Sequence, residues 1–290
     1  MARFISVSWP VIVAIVLTGH AAVAQVPEAA QREWTVAGTP RRAIVVPPRA
    51  PSSGAVPAVI VFHGHGGTGG AMARRRFHDH WPEAVVLYPQ GLPTATPRDP
   101  EGERSGWQSR GDATQNRDLA FFDAMLATLR TEYGVERVCV AGHSNGGGFA
   151  YLLAATRGQQ IHAIAPVAAG AAGARATADA PLPGRVSVLH IAGRMDRVVP
   201  FASQERTIAG LRRLLECTAE STPWRGAADL EGTRWRGADG TAVVWIEHPG
   251  GHEVPPGAVE SIIRFFRESV PAAEGAPADA APPRATTATD

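Results

Sequence analysis

The run Gly142-His143-Ser144-Asn145-Gly146, continued by Gly147 and Gly148, sets a serine between small residues. An apolar, β-branched stretch over 137–141 leads into it, and a helical pattern over 146–156 leads out. A Gly-x-Ser-x-Gly in a strand–turn–helix setting is a nucleophile elbow, in which the chain reverses sharply and the hydroxyl projects from a strand end. The helix behind Ser144 aims its first amides, including that of Asn145, at negative charge developing in front of the serine. The chemistry implied is nucleophilic attack on an acyl carbon. An ordinary glycine-rich turn is the plainer alternative.

A serine hydroxyl needs a base, and the base needs an acid to orient it. In such sheets the chain order is Ser, then Asp or Glu, then His. Asp196 lies just past the strand-like run 186–191, within Gly193-Arg194-Met195-Asp196-Arg197-Val198-Val199-Pro200. His252 lies just past the run 242–247, within His248-Pro249-Gly250-Gly251-His252. Without chemistry, Asp196 would cap a helix or pair with Arg194 or Arg197. His248 competes with His252, but it stands nearer the strand and precedes Pro249, whereas Gly250-Gly251 gives His252 a pliable backbone. The expected catalytic set is Ser144, Asp196 and His252.

A third motif, His63-Gly64-His65-Gly66-Gly67-Thr68-Gly69-Gly70, follows the apolar run 58–62. A glycine-rich loop at this place supplies a second amide to the oxyanion. The backbone N–H of His65 is the expected donor, beside that of Asn145. His63 and His65, with His78-Asp79-His80 further on, raise the alternative of a metal site. Gly67 and Thr68, however, stand where a His-x-His-x-Asp-His pattern needs Asp and His, so neither metal nor cofactor is expected. His190, in mid-strand, and His162, before a strand, read as packing or surface residues.

These motifs need strands to carry them. Short apolar runs at 43–46, 58–62, 84–88, 137–141, 163–167, 186–191 and 242–247 alternate with helical patterns at 119–133, 146–156, 201–215 and 258–268. Runs with few polar alternates suggest strands buried on both faces, as in a mostly parallel sheet covered by helices on both sides. The fold class expected is α/β, and each motif then falls at the carboxyl end of a strand, where such sheets place their working loops.

The whole chain has 290 residues, 44% of them hydrophobic and 19% charged, enough to bury a core. A net charge of +1 without a basic block argues against nucleic acid as a partner. All 28 basic residues are arginine, which excludes lysine Schiff-base chemistry and the lysine of a phosphate-binding P-loop. Of the two cysteines, Cys139 sits in a strand-like run and Cys217 after a helical one, so separate thiols are expected rather than a bridge. Residues 1–24 have the form of a signal peptide: Arg3, an apolar core, then Ala22-Val23-Ala24 before the cut. A periplasmic or secreted protein without a stable membrane anchor is expected, with a catalytic domain over 34–270 and a disordered Pro/Ala-rich tail over 271–290.

Ser144, Asp196 and His252 with their flanks resemble the α/β-hydrolase superfamily. Within it the chain is similar to the secreted polyhydroxybutyrate depolymerase and feruloyl esterase group. The shared stretches are His63-Gly64-x-Gly-Gly-Thr-Gly, Gly-His-Ser-Asn-Gly-Gly, Asp196-x-Val-Val-Pro-Phe, Gly250-Gly251-His252 and the helix opening Asp118-Leu119-Ala120-Phe121. The chain departs from that group in carrying Val254 before Pro255, where Trp is usual, and in lacking a later partner for Cys217. The resemblance implies a serine esterase acting on small or oligomeric esters, of polyhydroxyalkanoate type or feruloyl and acetyl esters of plant polysaccharide.

The stretch 168–185, mainly Ala and Gly, is too short for a helical lid, so an open site is expected. The loop 91–114 is expected to form one wall. Trp107 would stack on a ferulate ring or sugar, or else anchor that loop, and His143 is the other expected substrate contact. Trp224, Trp235 and Trp245 read as packing residues of a hairpin near the last strand. A serine peptidase of the same fold and a non-catalytic polymer-binding protein are the rival functions. The second predicts a damaged Ser–Asp–His set.

Overall fold

The computed structural model describes residues 29–110, 115–171 and 185–270. The expected signal segment, the C-terminal tail, residues 111–114 of the long loop and residues 172–184 lie outside the described residues. In chain order the strands are β1 (Ala30–Val36), β2 (Thr39–Val46), β3 (Ala58–Phe62), β4 (Val85–Pro89), β5 (Leu92–Pro93), β6 (Ser105–Gly106), β7 (Val138–His143), β8 (Ile161–Val167), β9 (Ser187–Gly193), β10 (Thr222–Arg225), β11 (Glu231–Arg236) and β12 (Ala242–His248). The helices are α1 (Gly69–Ala73), α2 (Arg117–Tyr133), α3 (Asn145–Arg157), α4 (Phe201–Leu214) and α5 (Ala258–Ser269). Among the described residues no helix is long and apolar enough to cross a membrane.

Ten strands form one sheet in the order β1-β2-β4-β3-β7-β8-β9-β12-β11-β10. The pairs from β4 through β3, β7, β8 and β9 to β12 are parallel. Both flanks are antiparallel: β1 and β2 on one side, β11 and β10 on the other. Alternate side chains of each central strand enter different layers. Ile60, Val140, Ile164, Val188 and Val243 pack beneath α2, α3 and α4, while Val61, Ala141, Ala165, Leu189 and Val244 pack against α1 and α5. Burial on both faces explains the continuous apolar runs, since neither face meets water.

Every strand and helix expected from periodicity is present, with ends moved by a few residues. Edge strand β1 was not expected, whereas the hairpin expected near the last strand is present as β10 and β11. In β1 exposed Gln31 and Glu33 alternate with partly buried Arg32 and Trp34, so an edge strand displays no apolar run, and among the described residues the first strand begins at Ala30. Polar β10 and β11 complete a meander with β12 that carries Trp224, Trp235 and Trp245. Trp245 is buried in the layer beneath α4, where Trp235 packs as well, and Trp224 is buried in the opposite layer with α5. Cys139 is buried and Cys217 half-buried, both as free thiols.

Candidate active site

Ser144 leaves β7 with φ 53 and ψ −116, a conformation that non-glycine residues seldom adopt and that costs on the order of 1–3 kcal/mol. The surrounding glycines make the turn possible. A Cβ on Gly142 would lie 2.3 Å from the Gly146 carbonyl oxygen, and one on Gly146 would lie 2.5 Å from that of Phe62. The strand and helix can close on each other only if both positions lack a side chain. The Ser144 amide donates to Val167 O at 2.8 Å, which fixes the turn to the neighbouring strand.

The three residues expected to act together lie at the ends of β7, β9 and β12. Ser144 Oγ is 2.8 Å from His252 Nε2, and His252 Nδ1 is 2.9 Å from Asp196 Oδ2. The Asp196 side chain is fully buried, while that of His252 keeps 19% exposure. Asp196 Oδ1 accepts from the amides of Val198 at 2.8 Å and Val199 at 2.9 Å, and Oδ2 also accepts from Gln204 Nε2 at 3.1 Å. Burial pushes this carboxyl up, but the bonds from His252, Val199 and Val198 outweigh it and hold its pKa below the ordinary carboxylate value. Asp196 pairs with neither Arg194 nor Arg197; Arg194 turns instead to Glu247. His248 is buried, and its Nδ1 accepts from the Gly250 amide, away from the serine.

On the other side of Ser144 runs the loop after β3. A Cβ placed on Gly64 would lie 3.5 Å from Ser144 Cβ, so this loop adjoins the serine. Among the described residues the amides of His65 and Asn145 donate to no protein acceptor, whereas the next amide, Gly66 N–H, donates to Ser105 O at 2.7 Å. His63 and His65 serve the loop with their side chains. His63 Nε2 accepts from the Gly91 amide at 2.9 Å, which leaves Nδ1 to donate to Gly64 O at 2.8 Å. His65 Nε2 is 2.9 Å from Asp99 Oδ2.

The loop between β4 and α2 is locked onto this site by contacts that sequence reasoning missed. The Asn145 side chain mimics a strand partner: Oδ1 accepts from Trp107 N at 2.7 Å and Nδ2 donates to Trp107 O at 2.9 Å. Asp118, in the first turn of α2, accepts from the Gln108 amide at 2.8 Å and forms a buried pair with Arg41 at 2.7 Å. The sequence offered only the loop 91–114 as a wall of the site and Trp107 as one candidate anchor of it. Of the two roles expected for Trp107, the structure favours the anchor: it is 1% exposed, stacks on Phe149 and donates its indole N–H to His63 O at 2.8 Å. Buried among Phe62, His63 and Phe149 and with its polar tip engaged, it anchors the loop rather than a ligand.

His143 tilts against His252, their ring centroids 5.1 Å apart, and its buried Nε2 has no hydrogen-bond partner among the described residues. Burial and the neighbouring His252 lower its pKa to about 4, so it is neutral at physiological pH. Burial lowers the His162 pKa to about 4 as well; this residue stands at the start of β8, the opposite strand end from Ser144.

Known proteins place this geometry in context. The dienelactone hydrolase family model matches residues 42–214, more than half of the chain. Proteins described as probable feruloyl esterase C are 26% identical, over 166 residues in Aspergillus clavatus and 167 in Aspergillus niger. Each match covers 56% of this chain and 58% of the relative, so the chain spans little more than half the length of these relatives. Among solved structures, the acetyl xylan esterase of Aspergillus awamori superposes with a TM-score of 0.60 at 15% identity, covering 82% of this chain and 99% of that one. Esterase PE8 does so with 0.54 at 20%, covering 78% and 97%. These likenesses show the α/β-hydrolase fold, and the family match shows that the chain belongs to the dienelactone hydrolase family.

Proposed function

We propose that the protein is an exported serine esterase that hydrolyses carboxylic esters through Ser144, His252 and Asp196. The observation that carries this reading is the continuous relay from Ser144 Oγ through both ring nitrogens of His252 to the buried Asp196 carboxylate, at 2.8 and 2.9 Å. His252 Nε2 takes the Ser144 proton as Oγ bonds to the ester carbonyl carbon. The carbonyl electron pair moves onto oxygen, where the amides of His65 and Asn145 stabilise it, each such donor typically contributing about 3 kcal/mol. The tetrahedral adduct expels the alcohol, protonated by His252, and leaves an acyl-serine. Water, deprotonated by His252, then repeats the sequence and releases the acid. Asp196 holds the imidazole in the tautomer that presents a lone pair to Ser144.

The relatives' descriptions favour feruloyl or acetyl esters as substrates, with polyhydroxyalkanoate-type oligoesters the further choice from motif resemblance. His143 Nε2, a neutral polar group beside the reacting serine, is assigned to the substrate. Export rests on the segment Arg3 to Ala24. No nucleic acid, metal or cofactor enters the scheme.

The test is kcat/KM on p-nitrophenyl esters of increasing acyl length beside methyl ferulate, with Ser144→Ala as control. Hydrolysis that falls by about 10⁶-fold in the variant supports the reading. Ester hydrolysis that survives the substitution, or its absence in the folded wild type, contradicts it.

A further inference from the structure

Within the buried strand β9, His190 interrupts the apolar run Val188-Leu189-His190-Ile191. It points into the same layer as Val188 and Ala192, beneath α3 and α4, and is 0% exposed. An imidazole is costly there unless both ring nitrogens find partners. Both do. Nδ1 lies 2.6 Å from the hydroxyl of Tyr151 on α3, and Nε2 lies 2.7 Å from Oε1 of Gln204 on α4.

The direction of every bond follows from the end nearest Ser144. The Asp196 carboxylate and the Val199 carbonyl can only accept, so both must receive from Gln204 Nε2, at 3.1 and 2.8 Å. Gln204 Oε1 is thereby left to accept, which puts a proton on His190 Nε2. Nδ1 then carries the lone pair and takes the Tyr151 hydroxyl proton. Gln204 is itself 0% exposed, so no water competes for these groups. Burial holds the His190 pKa down to about 4, in keeping with the neutral ring this chain of bonds requires.

We propose that Tyr151, His190 and Gln204 form a buried positioning chain for Asp196, fixing the rotation of its carboxylate so that Oδ2 faces His252 Nδ1. The proposal rests on the esterase reading for its kinetic consequence but not for its structural one. The two amides of Val198 and Val199 grip only Oδ1. Among the described residues, Gln204 is the only group besides His252 that holds Oδ2. A residue with this role acts through Asp196 and touches neither substrate nor serine.

The test is Gln204→Met, which keeps the length and removes the donor, made in the wild type and in Asp196→Asn. Active sites are titrated so that kcat refers to folded enzyme, and Gln204→Asn, one methylene shorter, stands in if the Met variant does not fold. In the wild-type background kcat falls about tenfold with KM unchanged, part of the roughly 10²-fold that a 1 Å misplacement can cost. In the Asp196→Asn background the same change costs less than about twofold, because the group it acts through is gone. Proton NMR supplies a readout independent of hydrolysis: the low-field His252 Nδ1–H resonance, identified by its loss in Asp196→Asn, shifts or broadens in the Gln204 variant. Equal kcat losses in both backgrounds, or an unmoved resonance, overturns the proposal. If no ester is hydrolysed at all, the esterase reading fails while the resonance still tests the chain.

Discussion

On one side of Ser144, His252 and Asp196 stand just beyond the adjacent parallel strands β12 and β9, and side-chain bonds within that sheet edge align them. On the other, the amides of His65 and Asn145 lie beside a loop between β4 and α2 whose described residues add no strand to the large sheet and form the separate short pair β5 and β6. That loop is held from a distance, by Asn145 gripping the Trp107 backbone, by the Trp107 indole on His63 and by the Arg41–Asp118 pair. Strand adjacency gives the first side its alignment directly. The second must assemble it from contacts far apart in the chain, so damage there reaches the oxyanion without touching the serine, the imidazole or the carboxylate.

The difference sets the order of expected effects. Asp196→Asn, which leaves the geometry but favours the wrong imidazole tautomer, lowers kcat by about 10⁴-fold in ester assays. Asn145→Ala keeps the backbone amide but releases the 105–109 segment, and kcat falls about 10²-fold while the low-field His252 Nδ1–H resonance stays in place. A loss confined to KM would show that the clamp shapes the pocket rather than the amides.

The smallest effect is shared by both sides. Burial lowers the pKa of His63 beside the amides, and it takes His143 and His190 from the ordinary 6.5 to about 4. The unfolded chain therefore binds more protons than the native one between these values. Stability is complete above about pH 6.5 and declines as pH falls toward 4. Thermal melts from pH 7.5 to 4.5 should show a falling Tm, and a flat Tm would mean that these rings are hydrated in the native state.

How much of this was legible in the sequence follows from the same contrast. Ser144, Asp196 and His252 stood out because chemically distinctive residues follow apolar runs and are flanked by glycine, and parallel strands bring such ends together. The buried core strands were legible for a related reason: burial on both faces leaves a continuous apolar run. Edge strand β1 was hidden because its solvent-facing residues are polar. Trp107 was ambiguous because an aromatic in a polar loop reads the same whether it turns in or out. Gln204 and Tyr151 gave no signal, since each meaningful partner lies on another element. His190 gave half of one: a lone imidazole in an apolar strand declares that partners exist without saying where.

The most direct test of the central claim is mass spectrometry of the full chain after brief exposure to a p-nitrophenyl acyl ester, quenched in acid. The account predicts one acyl group per chain, carried by the peptide containing Ser144 and lost in Ser144→Ala. Ester turnover without an adduct on that peptide, under conditions where deacylation is slow, or an acyl group on another residue, would contradict it.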